Sequence, residues 1–135
     1  MEFVPKALRR ARERAQDAGV EVRLIEGDVT ALRATSVGSG FRFLLDFGLF
    51  HGLTDEQREA MGGEVSAVAA PGATMLMLAW EPARRRLLPR GASRGDIEAA
   101  YPAWKVIDED ALVDEPRAPK YVRKADPRFY RLRHE

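Results

Sequence analysis

Cysteine is absent from the chain, so disulfides, thiolate metal sites and a cysteine nucleophile are all excluded. Histidine is nearly absent too: His51 and His134 are the only two, too few for a histidine-built zinc site, and no metal is expected. Long apolar runs are also missing. The longest are of strand length, against the roughly 20 residues a membrane-spanning helix needs, so no membrane partner is expected. No secretory signal is read ahead of the arginine-rich first helix. An excess of one charge is lacking as well, with 22 basic against 21 acidic residues, which counts against a nucleic-acid partner. A chain of 135 residues holds one compact domain with one core rather than two. The expectation is a single cytoplasmic α/β domain.

What the chain does contain is organised around Phe41 to Leu53. Phe41 to Leu45 is a nearly continuous apolar run, interrupted by Arg42, and it leads into Asp46, Phe47, Gly48, Leu49, Phe50, His51 and Gly52. Such a run predicts a central strand buried on both faces. Open α/β sheets bind ligands in the crevice beyond the carboxyl ends of their strands. A carboxylate and glycines at that end therefore make Asp46 to Gly52 one wall of a ligand crevice.

The rest alternates helices and strands. Val4 to Ala18 is predicted helical, with an apolar stripe of Val4, Ala7, Leu8, Ala11, Ala15 and Ala18, Pro5 in the first turn and Gly19 as its stop. Its arginines read as a solvated face rather than an RNA-binding one. Val20 to Glu26 alternates apolar and charged residues, which predicts a strand with one wet face or at an edge. Gly27-Asp28-Val29-Thr30 follows at its carboxyl end, and this could be turn chemistry alone. A helical turn and a Ser/Gly loop fill Ala31 to Gly40. Thr54 and Gln57 have the spacing of a capping box, opening a helix to about Ala69 that buries Met61, Val65 and Val68. Gly62 and Gly63 weaken its middle by about 1 kcal/mol each relative to alanine.

Pro71-Gly72 predicts the turn into a second central strand, Ala73 to Trp80. A loop carrying Arg84, Arg85 and Arg86 follows, and Ser93 with Asp96 caps a short helix ending near Tyr101-Pro102. Trp104 to Ile107 is a further strand, Ala111 to Lys124 an irregular connection, and Arg128 to Arg133 a closing strand. Alternation of this kind predicts a mostly parallel sheet, closed by an antiparallel pair where no helix intervenes.

In this order the stretches resemble the class I S-adenosylmethionine-dependent methyltransferases, particularly small bacterial members acting on small molecules. The resemblance is carried by Glu2-Phe-Val-Pro-Lys-Ala-Leu8, Glu26-Gly-Asp28-Val29, Leu44-Leu-Asp46-Phe-Gly-Leu-Phe-His51, Ala70-Pro-Gly-Ala73 and Phe129-Tyr-Arg-Leu-Arg133. It implies a partial Rossmann-like methyltransferase sheet with an antiparallel C-terminal strand pair, and S-adenosylmethionine as cofactor. By the same resemblance Glu2 holds the ribose hydroxyls, Phe3 packs on the adenine, and Asp28 accepts from the adenine amine beside the Val29 backbone. Asp46 and Phe47 lie near the methionine moiety. Phe50 and His51 face the methyl acceptor, though His51 reads equally as a cap of the strand-to-helix loop. No catalytic residue is assigned.

The departure lies at the amino end. The family's first strand, its glycine-rich turn, the next helix and the second strand have no counterpart ahead of Glu2, and Gly38-Ser-Gly40 sits elsewhere in the order. The resemblance thus implies an incomplete domain over residues 1–135, completed by a missing amino-terminal segment or a partner chain. The alternative is a non-catalytic remnant that self-associates through bare strand edges.

Overall fold

A computed structural model of the chain describes residues 4–83, 89–111 and 126–135. The helices form where their end signals predict. Helix α1 (Pro5–Asp17) begins with Val4 at its N-cap and Pro5 in its first turn, and Leu8 is its one fully buried side chain. Helix α2 (Asp55–Val68) opens on a complete capping box: the Gln57 amide donates to Thr54 Oγ1 at 3.3 Å, and the Thr54 amide donates to Gln57 Oε1 at 3.0 Å. Helix α3 (Arg94–Ala100) uses Ser93 and Asp96 in the same way. Among the described residues there are also two short 3-10 turns, Val29–Ala34 and Phe50–Gly52.

Among the described residues, four strands form one mixed sheet. They are β1 (Phe41–Phe47), β2 (Ala69–Trp80), β3 (Trp104–Ala111) and β4 (Pro127–His134), in the spatial order β1-β2-β4-β3. β1 and β2 are parallel, pairing Phe43 with Thr74 and Phe47 with Leu78. β4 lies antiparallel between β2 and β3, pairing Met77 with Tyr130 and Val106 with Leu132. The predicted antiparallel carboxyl-terminal pair is therefore present. The sheet is less parallel than alternation implied, because β4 inserts beside β2 rather than following β3 outward.

One sheet face is covered. Met75, Met77, Ala79, Tyr130, Leu132, Trp104 and Val106 meet Met61, Val65, Val68 and Ile97 from α2 and α3 in a continuous core. Burying each such aliphatic side chain contributes about 1.5–3 kcal/mol. Gly62 lets the two helices touch: a Cβ there would lie 1.8 Å from the Ala100 carbonyl oxygen. The turn Val29–Ala34 is tied to α2 through Arg33, whose amide and guanidinium both donate to the Glu64 carboxylate at 2.7 Å.

Three expectations are corrected. Phe41–Phe47 is an edge strand of the described sheet, not a central one. Phe43, Leu45 and Phe47 are 57%, 59% and 73% exposed, because no described element covers that face or pairs with that edge. Val20 to Glu26 is extended but lies outside the sheet, with a single bridging residue at Glu26. An alternating sequence becomes a strand only when a neighbour supplies the ladder, and here Arg23 donates instead to the carbonyls of Ser36 and Val37. Pro71-Gly72, expected as the turn before a strand, lies within β2, beside the register shift against β1. The loop arginines 84–86 and most of the connection after Ala111 fall outside the described residues.

Candidate functional site

The site is built at the carboxyl ends of the two parallel strands. Asp46 ends the buried side of β1 and turns back onto the loop that follows it. Its Oδ1 accepts from the Leu49 amide at 2.8 Å and its Oδ2 from the Phe50 amide at 3.0 Å. Burial pushes the Asp46 carboxyl above the usual carboxylate range, and the amides of Leu49, Phe50 and Gly48 partly oppose that rise. Gly48, at φ +89°, makes the turn, and a Cβ there would come within 3.2 Å of the His51 ring. The left-handed conformation and the ring together reserve this position for glycine.

His51 is buried and bridges the two strand ends. Its Nδ1 accepts from the Trp80 amide at 3.3 Å, and its ring stacks on the Trp80 indole at 4.8 Å. A neutral imidazole accepting at Nδ1 carries its proton at Nε2. Phe50 is fully buried, tilted against Tyr101 at 5.7 Å. Phe47 points the other way: it is open to solvent and packs at 6.3 Å against Phe129. The structure thus brings Asp46, Phe50 and His51 together as the inner side of one loop and sets Phe47 on its outer side.

Asp28 lies apart, as the N-cap of the Val29–Ala34 turn. Its Oδ1 accepts from the Thr30 amide at 2.8 Å and the Thr30 hydroxyl at 2.7 Å. These two bonds hold its carboxyl below the ordinary range, so it is an anionic acceptor at neutral pH. Val29 is half-buried beside it. Glu2 and Phe3 lie outside the described residues.

Two residues of the site were missed in the sequence. Arg58 is buried at 3% exposure and donates to the carbonyls of Phe50 at 3.2 Å, His51 at 3.3 Å and Gly91 at 2.6 Å, while lying 4.8 Å over the Phe50 ring. Burial lowers its pKa from the ordinary arginine value. Its spacing was the available signal, because Arg58, Met61, Val65 and Val68 share one helical stripe. Tyr101 is the second. Its buried hydroxyl has no hydrogen-bond partner among the described residues, and burial together with the Asp46 charge raises its pKa. No sequence signal sets this tyrosine apart from a core aromatic. Among the described residues there is no group of three or more potential metal ligands. The arrangement is a wall in which Asp46 takes up backbone donors and Arg58 takes up backbone acceptors, and among the described residues of the site no nucleophile is paired with a base.

The mixed sheet, a parallel pair extended by an inserted antiparallel strand, matches the Rossmann-like fold of solved methyltransferases. Solved structures share it over nearly the whole chain. A protein from work on the conversion of a disulfide bond into a thioacetal group during echinomycin biosynthesis matches with TM-score 0.74 at 17% identity, covering 99% of this chain and 64% of its own. An S-adenosylmethionine-dependent methyltransferase from Clostridium acetobutylicum matches with TM-score 0.70 at 10% identity, covering 98% and 73%. The N-methyltransferase NodS from Bradyrhizobium japonicum matches with TM-score 0.69 at 16% identity, covering 98% and 70%. The first of these is therefore spanned over less than two thirds of its length. No family model and no curated relative matches the sequence. No described helix is long and apolar enough to cross a membrane.

Proposed function

We propose that the chain is part of an S-adenosylmethionine-dependent methyltransferase acting on a small molecule, and that further polypeptide completes its cofactor crevice. The observation that carries this reading is the fold match, which takes in 99% of the chain while leaving 36% of the matched protein without a counterpart. Transfer of a methyl group from a sulfonium needs alignment and exclusion of water more than a protein nucleophile. A wall without a nucleophile and base suits that chemistry.

The residues present fit the adenosine half of the cofactor best. Asp28 is exposed, anionic and, among the described residues, engaged at Oδ1 by Thr30, which suits an acceptor for an adenine amine. Val29 lies beside it, and Glu2 and Phe3 are assigned to the ribose and adenine by resemblance. Phe47 offers an apolar surface at the methionine end. Asp46 has less to offer there, because each of its oxygens already accepts a backbone amide. Phe50 and His51 support the acceptor side from within, positioning the loop rather than meeting the acceptor directly. S-adenosylmethionine supplies the activated methyl group when bound; the chain's own residues hold and orient it.

In the protein extended by an amino-terminal segment carrying a strand and glycine-rich turn, S-adenosylhomocysteine should bind with micromolar affinity. Asp28→Ala there should weaken binding by roughly tenfold, the loss of one charge-assisted hydrogen bond. Calorimetry finding equal affinity with and without Asp28 would contradict the assigned role. The open edge of β1 favours a second reading, a non-catalytic methyltransferase-like chain whose role is association. Turnover by the extended protein discriminates the two.

A further inference from the structure

Each of the two parallel strands runs into a connection that borders the crevice beyond the sheet, the place where open α/β sheets bind ligands. The first connection is the loop from Gly48 to Leu53, after β1. The second follows β2 and is described at Glu81 to Ala83 and again from Pro89 to Ala92, ahead of the Ser93 cap of α3. Its described ends close on each other. The Ala92 amide donates to the Trp80 carbonyl at 2.8 Å, and the Ala83 amide to the Arg90 carbonyl at 3.1 Å. Gly91, at φ +88°, sits where a Cβ would lie 2.4 Å from the Glu81 carbonyl oxygen, so only glycine fits there. The carbonyl of this same glycine accepts from Arg58.

We propose that Arg58 is a positioning residue of this crevice, holding the loop after β1 and the connection after β2 in one register so that the two walls open only together. The inference rests on the methyltransferase reading for what the crevice holds, and on the geometry alone for the tie. One guanidinium serves both segments. Its Nε donates to the Phe50 carbonyl at 3.2 Å, and its Nη2 to the His51 carbonyl at 3.3 Å and the Gly91 carbonyl at 2.6 Å. The donors of arginine lie in a fixed plane, so acceptors on two segments bound to it are set at fixed directions from each other. The side chain is buried, and its ion pair to Asp96 is loose at 3.8 Å, so the charge rests mainly on carbonyls. Replacing a buried ion by an apolar side chain of similar volume is often neutral for stability. Direction is what an apolar side chain could not supply. Arg90 crosses the other way, from the second segment to the Leu53 carbonyl at 3.2 Å and to Asp55. That ion pair is exposed and screened, which leaves the registration chiefly to Arg58.

Native-state hydrogen exchange on the chain reads the tie directly. The amides of Gly52 and Leu53 are hydrogen-bonded within the first segment, and those of Ala83 and Ala92 within the second. Met75 and Met77, buried in β2 between two neighbouring strands, report the core. In the unmodified protein the four loop amides should follow a single opening isotherm under denaturant, at lower free energy than the core pair. Arg58→Lys keeps the charge and the stem but not the planar fork. It should split that isotherm by segment and speed exchange in both segments by roughly tenfold, with Met75 and Met77 unchanged. Separate isotherms for the two segments in the unmodified protein would overturn the proposal, and that outcome needs no variant to fold. So would faster exchange in one segment alone, or no change in either. Equal acceleration at Met75 and Met77 would make Arg58 a core stabiliser and would also overturn it. Exchange requires no cofactor, whereas titration with S-adenosylhomocysteine tests the methyltransferase reading, so either can fail while the other stands.

Discussion

Two neighbouring glycines in α2 have opposite roles. Gly62 is buried where a methyl group would strike the Ala100 carbonyl, so Gly62→Ala must push α3 away from α2. Its gain in helix propensity, about 1 kcal/mol, is smaller than the cost of overpacking, typically 1–3 kcal/mol. Gly63 faces open space, and Gly63→Ala should stabilise the fold by about 0.5–1 kcal/mol. Denaturant midpoints moving in opposite directions for the two variants are expected; a common direction would contradict the packing. The sequence showed both glycines as weak points because propensity is local, whereas the close approach of Gly62 depends on a helix more than thirty residues away. Asp46 allows a similar separation. Burial raises its folded pKa, so its favourable contribution is complete below the unfolded carboxylate range and is lost as pH rises through the folded value. The stability of the unmodified protein relative to Asp46→Asn should therefore fall as pH rises across that window. A difference that stays flat with pH would show that the amides of Leu49 and Phe50 offset the burial completely.

At the scale of elements, what was legible is what is encoded locally. Thr54 and Gln57, and Ser93 and Asp96, mark the starts of α2 and α3 because a capping box is satisfied within four residues. Thr54→Ala should cost about 1 kcal/mol, and a loss below a few tenths by chemical denaturation would mean that tertiary contacts hold that end instead. The strands were legible as segments and illegible as partners. Val20 to Glu26 alternates cleanly, but a ladder depends on what lies beside it, and no described strand does. Phe41 to Phe47 carries the apolar content of a central strand and stands at an edge for the same reason. The insertion of β4 between β2 and β3 is likewise a property of the assembled sheet. In the site, the turn at Asp46, Gly48 and His51 could be read from residue types alone. The buried Arg58 and the unpartnered Tyr101 hydroxyl could not, because their roles depend on burial rather than on pattern.

For the whole molecule, the covered face and the bare face describe one condition. Helices α2 and α3 close one side of the sheet, while among the described residues β1 leaves its edge unpaired and its outer face apolar and exposed. The fold match has the same asymmetry, nearly complete for this chain and partial for the proteins it resembles. The central claim is that these residues hold only the adenosine half of a cofactor site. A charge-assisted hydrogen bond contributes about 1.5–3 kcal/mol, and one or two of them do not offset an association cost of about 4–15 kcal/mol. Calorimetric titration of S-adenosylhomocysteine into the 135-residue chain tests this most directly. The account predicts binding no tighter than about millimolar, roughly −4 kcal/mol. Micromolar affinity in the chain alone would show a complete site within these residues and contradict it.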